Sequence, residues 1–232
     1  MRFNKFFFRP RENKFLKENT DIFSDSRLNF SSFTTVFDIG AHHGNTISKI
    51  LQLTPNASIH AFEPFPKSFE ILKQKYSSSE QIKLNNMALS NFPGTSEFFF
   101  NYNEETNSLH KSVIVGDKSL DHLTKNIGYI KVFVSTLDQY VFSKKISSID
   151  FLKIDAQGNT FEILEGAKSI LNAKIPKRIY AETEFVEIYE NEKRFSEIEI
   201  LMRSFGYKLV KFYNMNYTSS GLLAWADALF IA

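Results

Sequence analysis

The feature that most constrains the fold of this chain is its alternation of short apolar, β-branched segments with segments of helical periodicity. A strand is predicted over residues 34–39 and a helix over residues 47–53, followed by a strand over residues 57–62 and a helix that begins at Pro66. The rhythm breaks at about residues 90–140 and then resumes. Strands that alternate with helices form parallel βαβ units, so the sequence predicts an α/β fold with a doubly wound sheet.

Further segments extend this pattern along the chain. Strands are also predicted over residues 81–85, 95–102, 131–136, 149–154, 178–181, 207–213 and 226–231. Helices are predicted over residues 161–171 and 195–202, and Gly206 is the expected stop of the second helix. The last two strands are close enough in sequence to pair as a hairpin.

Glycines and polar residues follow several of the predicted strands. In a doubly wound sheet, ligands bind outside the carboxyl ends of the strands, at the switch in strand order. In this chain those ends carry residues 38–44, Glu63, residues 85–88, Asp155 and Glu182. We therefore expect one ligand site to which all of these segments contribute.

The segment from Asp38 to Gly44 (Asp-Ile-Gly-Ala-His-His-Gly) joins the first strand to the first helix. Gly40 and Gly44 lie where a Cβ atom would obstruct the approach of a ligand to backbone N–H groups. Glu63 ends the next strand, about 20 residues on, where a carboxylate accepts hydrogen bonds from both ribose hydroxyls of an adenosine. This combination predicts a cofactor that contains adenosine.

The same loop favours S-adenosylmethionine over a dinucleotide. A dinucleotide site needs closely spaced glycines against the pyrophosphate, whereas this loop lacks Gly-x-Gly and has Asp38 before its first glycine. An acid there suits the cationic amino or sulfonium group of S-adenosylmethionine. A P-loop is excluded, since no Gly-Lys-Ser/Thr follows the first strand. An NAD-dependent or nucleotide-sugar enzyme remains the alternative, because Glu63 would serve NAD equally well.

Composition excludes several other classes of function. The 232 residues contain no cysteine, which excludes disulfides, thiolate zinc, iron–sulfur clusters and a cysteine nucleophile. The net charge of +2 is too small to indicate nucleic-acid or membrane binding. No apolar run approaches the roughly 20 residues of a membrane-spanning helix. No His-x-x-x-His or Asp-x-Asp arrangement indicates a metal, so none is expected.

The chain length predicts one domain with an appendage. We assign residues 34–232 to the domain and residues 1–33 to an N-terminal extension that packs on it, anchored by the phenylalanines at positions 6–8. The apolar run before Arg9 is too short for the core of a signal peptide. A cytoplasmic protein is therefore expected.

Several sequence blocks occur in a recognisable order. They are Val36-Phe-Asp-Ile-Gly-Ala-His-His-Gly-Asn45, Phe62-Glu-Pro64, Asn86-Met-Ala-Leu-Ser90 with Gly94, Thr136-Leu-Asp138 and Phe151-Leu-Lys-Ile-Asp-Ala-Gln-Gly158. In this order they resemble the blocks of FkbM-type S-adenosylmethionine-dependent methyltransferases, over about residues 34–231. The resemblance implies the Rossmann-like class I methyltransferase fold, which has seven main strands with the last antiparallel.

The resemblance also implies a cofactor, an activity and a set of site residues. Members of this family mostly methylate hydroxyl oxygens of sugars and of natural products, so S-adenosylmethionine and a small-molecule or glycan acceptor are expected. The expected cofactor-binding residues are Asp38, Gly40, His42, Gly44, Asn45, Glu63, Pro64, Asn86, Met87, Ala88 and Asp155. Met87 or its neighbours would lie against adenine, and His42 stands where the family usually has asparagine.

Asp155 is expected to orient a hydroxyl acceptor or to remove its proton, and Glu182 and His110 are further catalytic candidates. The family pattern at this strand end is Asp-x-Glu-Gly-x-Glu, where this chain has Gln157 and Asn159. These two replacements leave a catalytically inactive cofactor-binding module as a second alternative. No nucleic-acid partner is expected, and the sequence gives no oligomeric state.

Overall fold

The structure, a computed structural model, describes residues 21–113, 121 and 124–232. The anchor predicted at residues 6–8 lies outside this range. Within the described part, no helix has both the length and the apolar character needed to cross a membrane. The described strands form one sheet of seven strands and one of three.

Strands and helices alternate along much of the described chain. The strands are β1 Thr35–Ile39, β2 Ser58–Phe62, β3 Ile82–Asn85, β4 Ala88–Leu89, β5 Gly94–Asn101, β6 Asn126–Ser135, β7 Phe151–Ile154, β8 Arg178–Glu184, β9 Lys208–Tyr217 and β10 Leu223–Ile231. The helices are α1 Asn45–Leu53, α2 Pro66–Tyr76, α3 Leu137–Ser143, α4 Thr160–Glu165, α5 Lys168–Asn172 and α6 Phe195–Ser204.

The seven-stranded sheet has the order β3-β2-β1-β7-β8-β10-β9. β1 is parallel to both β2 and β7, and β7 is parallel to β8. β10 is antiparallel to β8 and β9, which confirms the predicted hairpin and the antiparallel last strand. The chain moves outward from β1 to β3 and later returns beside β1 as β7, so the strand order switches there. The predicted α/β class I fold is confirmed.

The middle of the chain differs most from the sequence-based expectations. β4, β5 and β6 form the separate three-stranded sheet, β6 begins at Asn126 rather than at residue 131, and α3 was not predicted. The helix expected over residues 161–171 is divided into α4 and α5. At this break Gly166 approaches Ser90 so closely that a Cβ atom would lie 2.1 Å from the Ser90 carbonyl oxygen.

The central strands are buried on both faces of the sheet. In β1, Val36 and Phe37 are fully buried in two different hydrophobic clusters, because successive side chains of a strand point to opposite faces. Phe30 and Phe33 belong to the same cluster as Val36, and the Phe30 ring centroid lies 5.4 Å from that of Phe151. The described residues before β1 therefore pack on the sheet, while the domain boundary at residue 34 stays a prediction.

We predict that Gly40→Ala destabilises the fold more than Gly221→Ala. Gly40 has a φ of 76° and Gly221 a φ of 86°, so alanine at either position incurs the strain of the left-handed region, about 1–2 kcal/mol. A Cβ on Gly40 would also lie 1.8 Å from the Asp155 carbonyl oxygen, whereas one on Gly221 meets nothing within 4 Å. This overlap should cost about 1–3 kcal/mol more. Urea unfolding of both variants measures the difference, and equal losses would contradict it.

Candidate active site

A cavity of about 460 Å³ lies at the carboxyl ends of β1, β2, β7 and β8. Most of the residues that the sequence singled out line it, namely Gly40, His42, Asn45, Glu63, Pro64, Met87, Ala88, Asp155 and Glu182. The remaining predicted residues are not among its lining residues, namely Asp38, Gly44, Asn86 and His110. The parallel sheet thus brings together side chains from distant parts of the chain.

The loop between β1 and α1 is held against the end of β2. The backbone N–H groups of Gly40 and Ala41 both donate to the Phe62 carbonyl oxygen, each at 3.0 Å. Gly44 has a φ of 80°, and a Cβ there would lie 2.6 Å from the Tyr76 ring. Gly44 is therefore needed for packing on α2 rather than for a direct ligand contact. Asn45, the first residue of α1, does face the cavity.

Glu63 follows β2 and is only 6% exposed. One of its carboxylate oxygens accepts a hydrogen bond from the His42 N–H and the other from the Phe65 N–H, both at 2.8 Å. Burial raises the pKa of Glu63 to about 7. Each carboxylate oxygen has two lone pairs, so both can still accept a hydrogen bond from a ligand hydroxyl in the cavity.

The turn after β3 supports this side of the cavity. The Asn86 side-chain amide donates to the carbonyl oxygens of Glu63 and Pro64, at 2.9 Å and 3.2 Å. Asn86 therefore fixes the Glu63 backbone from behind. Met87 and Ala88 line the cavity and provide an apolar surface beside Glu63.

Asp38 is fully buried and pairs with Lys153, a residue that the sequence reasoning missed. The Lys153 ammonium lies 3.1 Å from an Asp38 carboxylate oxygen and 3.4 Å from an Asp155 oxygen. Burial opposes the charge of Lys153, but the neighbouring carboxylates of Asp38 and Asp155 raise its pKa above the usual value. The expected contact between Asp38 and a cationic ligand is therefore not supported, since Asp38 neutralises Lys153 instead. A lysine inside the otherwise apolar strand β7 was the available signal.

Gln157 bridges the two predicted catalytic acids. Its side-chain N–H₂ donates to Asp155 at 3.0 Å and to Glu182 at 2.6 Å. Its side-chain oxygen Oε1 accepts from the Tyr189 hydroxyl at 2.8 Å. Burial, and then the nearby Asp155 carboxylate, raise the pKa of Glu182 well above its usual value. Gln157 therefore connects two acids that would repel each other if both were ionised, which a carboxylate in its place would not do.

The predicted role of His110 as a base is not supported by its surroundings. Its Nδ1 lies 3.1 Å from the Glu190 carbonyl oxygen, and its Nε2 lies 3.3 Å from the Asn159 side-chain oxygen. Both are acceptors, because the Asn159 amide nitrogen donates to the Leu89 carbonyl oxygen. Although burial opposes it, the carboxylate of Glu162 raises the pKa of His110. Both ring nitrogens therefore face acceptors, an arrangement that favours the doubly protonated ring, and a histidine in that form cannot accept another proton.

His42 and His43 form an arrangement that the sequence did not predict. Their rings stack with centroids 3.7 Å apart, and burial lowers the pKa of His42. A ring nitrogen of each and a Glu104 carboxylate oxygen all lie within 4.8 Å of one another, so these groups could serve as metal ligands. Lys67 forms an ion pair with Glu104 and would compete with a metal. The expectation of no metal stays a prediction.

Known methyltransferases resemble this chain in sequence. The family model of the methyltransferase FkbM domain matches residues 38–209. The 2-O-methyltransferase NoeI of Sinorhizobium fredii (strain NBRC 101917 / NGR234) is 26% identical over 186 residues, which cover 73% of this chain and 71% of that protein.

Two solved structures are also similar to this chain. Precorrin-6y C5,15-methyltransferase from Geobacter metallireducens GS-15 is 10% identical with a TM-score of 0.48, over 89% of this chain and 84% of that one. The fibrillarin pre-rRNA processing protein of Methanococcus jannaschii is 15% identical with a TM-score of 0.49, over 88% and 68% of the two chains.

We predict that Lys153→Met lowers the free energy of unfolding by about 3–5 kcal/mol, because it leaves Asp38 buried without a cation. Burial already raises the pKa of Asp38 and Lys153 opposes this shift, so without Lys153 the pKa rises further and more stability is lost as the pH rises through it. The loss should therefore be larger at pH 8 than at pH 5. Urea unfolding at both pH values checks this.

The double variant Lys153→Met, Asp38→Asn is the matched control for this prediction. Removing the unpaired carboxylate should recover most of the stability and abolish the added dependence on pH. If the double variant were as unstable as Lys153→Met, the buried ion pair would not be the cause.

Proposed function

The chain belongs to the FkbM methyltransferase family, whose methyl donor is S-adenosylmethionine, and we propose that it methylates a hydroxyl oxygen of a sugar in a glycan or natural product. Family membership sets aside the NAD-dependent alternative. The oxygen acceptor is supported by the similarity to a protein named as a 2-O-methyltransferase. The observation that carries the proposal is that Glu63 and the bridged acids Asp155 and Glu182 line one cavity.

We assign the cofactor to the side of the cavity formed by β1 and β2. The free lone pairs of Glu63 would accept the two ribose hydroxyls, and Met87 with Ala88 would pack against adenine. Gly40, His42, Asn45 and Pro64 would surround the remainder of the cofactor, together with Asp155. In this proposal three of the predicted residues act indirectly. Asp38 holds Lys153, Gly44 allows the loop before α1 to pack on α2, and Asn86 holds the Glu63 backbone.

The acids on the β7 and β8 side of the cavity would orient the acceptor and remove its proton. The bound cofactor supplies a methyl group on a sulfonium, a leaving group that needs no further activation. The chain must align the acceptor oxygen with that methyl group and exclude water. Asp155, held by Lys153 and Gln157, would take the hydroxyl proton. Burial and the nearby Asp155 raise the pKa of Glu182 well above its usual value, which favours its protonated form, and that form would donate a hydrogen bond that orients the acceptor.

Labelled S-adenosylmethionine and a panel of sugars and glycans test the proposal against the inactive-module alternative. Asp155→Asn should lower kcat for methyl transfer by about 10²–10⁴-fold, because a positioned base contributes about that much. Titration with S-adenosylhomocysteine should show a much smaller change in affinity. Cofactor binding by the unmodified chain without transfer to any acceptor in the panel would contradict the proposed function.

We also predict that the affinity for S-adenosylhomocysteine falls as the pH drops below about 7, where burial places the pKa of Glu63. Ribose hydroxyls donate to the ionised carboxylate, so binding favours the deprotonated form and protons compete with it. The dissociation constant at pH 6 should exceed that at pH 8 by up to about tenfold.

Glutamine variants separate the pH dependence caused by Glu63 from effects of pH on the rest of the protein. Glu63→Gln should weaken binding and remove the pH dependence. Glu80→Gln, at an exposed position outside the cavity, should retain the wild-type affinity and its pH dependence. Isothermal titration at the two pH values gives the comparison. An unchanged affinity of the wild type for S-adenosylhomocysteine between pH 6 and pH 8 would contradict the proposed contact between Glu63 and the ribose.

A further inference from the structure

We propose that the acceptor carries a protonated amino group, which binds at Glu184 against the face of Trp225. This inference rests on the proposed methyl transfer to a sugar and narrows the acceptor to amino sugars or other glycans with a free amine. Glu184 and Trp225 both line the cavity described above. No role was assigned to either residue from the sequence.

The charge of the cavity favours a cation over an anion. Among the residues that the structure describes, six acidic side chains line it, and one of them, Glu104, is paired with Lys67: Glu63, Glu104, Glu105, Asp155, Glu182 and Glu184. Among the described residues that line it, Lys153 is the one lysine or arginine, and its ammonium is already paired with Asp38 and Asp155. A phosphate or carboxylate on the acceptor would therefore meet repulsion in this cavity.

Among the described acids that line the cavity, Glu184 is the one with a buried carboxylate oxygen that lacks a hydrogen-bond partner. It ends β8 and is 2% exposed. One of its carboxylate oxygens accepts a hydrogen bond from the Gly158 N–H at 3.1 Å. The other oxygen is buried and has no hydrogen-bond partner among the residues that the structure describes. A buried acceptor left unsatisfied is costly, so a donor delivered by a ligand would be bound strongly.

Trp225 provides a second element that favours a cation. It is the single tryptophan of the chain, and it is the direct cross-strand partner of Glu184 in the pairing of β10 with β8. Paired residues of adjacent strands project to the same face of a sheet, so the indole and the carboxylate are neighbours. Tryptophan is the aromatic side chain that best attracts a cation over its ring.

An ammonium suits this site better than a neutral hydroxyl does. An ammonium offers three donors and no acceptor, and it compensates the mutual repulsion of Glu184 with the carboxylates around it. Burial, and then the nearby Glu192, raise the pKa of Glu184 to about 8. A bound cation would lower this pKa again, so binding at neutral pH should release protons to the solvent.

A matched pair of disaccharides tests the inference. Chitobiose with free amines and its N,N′-diacetyl form share the same hydroxyl framework but differ in charge. Each is titrated into the protein with and without S-adenosylhomocysteine, in two buffers of different ionisation enthalpy. The free amine should bind at least about tenfold more tightly and release protons to the buffer. Equal or tighter binding of the acetylated form would overturn the inference.

Variants connect the preference to the proposed residues. Glu184→Gln keeps the oxygen that accepts from Gly158 but removes the charge, so it should abolish the preference for the free amine. Trp225→Leu should reduce affinity for the free amine more than for the acetylated form. Glu187→Gln, at an exposed position outside the cavity, should leave the preference intact. A preference that survives in Glu184→Gln would contradict the assignment.

The outcome for the acceptor charge is distinguishable from the outcome for the proposed function. The two titrations measure the preference whether or not methyl transfer occurs. Transfer to neutral glycans without any preference for the amine would overturn this inference alone. Preferential binding of the amine without transfer to any acceptor would support the charge assignment and contradict the proposed function.

Discussion

The site depends on the close approach of two backbones at the centre of the sheet. Where β1 ends, Gly40 lies so near the Asp155 carbonyl oxygen that no side chain fits between them. The Asp155 N–H completes the contact by donating to the Ile39 carbonyl oxygen at 3.0 Å. This contact places the loop before α1 beside the residues after β7. Gly40 and Asp155 both line the cavity at this junction, which is also where the strand order switches.

A layered arrangement of charge lies beneath the cavity. Lys153 lies between the fully buried Asp38 and the partly exposed Asp155. Its ammonium therefore pairs with one carboxylate in the core and with one that lines the cavity. Gln157 then connects Asp155 to Glu182. Burial, and then the nearby Asp155 carboxylate, raise the pKa of Glu182 well above its usual value, so the two connected acids lie in different surroundings. Two carboxyl groups in different surroundings can perform two tasks on one acceptor.

The fold was predictable because the strands of a parallel sheet carry a strong local signal. The positions of β1 and β2 and the placement of Glu63 beside the first glycine loop followed from that pattern and from the rule for strand ends. The three-stranded sheet was missed, because the pairing of β4 with β6 depends on contacts between distant segments.

The individual roles of polar residues were harder to predict. Asp38 lies in a strand buried on both faces, where no alternation of polar and apolar residues reveals which way a side chain points. His110 was placed in a polar segment, but its protonation depends on Asn159 and Glu162, two residues distant in sequence. The roles of Lys153 and Glu184 depend on partners on other strands. Sequence spacing alone contains none of these relations.

A crystal structure of the protein with S-adenosylhomocysteine is the most direct measurement. Both ribose hydroxyls should lie within about 3.2 Å of the Glu63 carboxylate, with adenine against Met87 and the sulfur atom facing the Asp155 and Glu182 side of the cavity. A nucleoside bound elsewhere, or one bound in the cavity without contact to Glu63, would contradict the central claim that the junction of β1 and β7 forms the methyl-donor site.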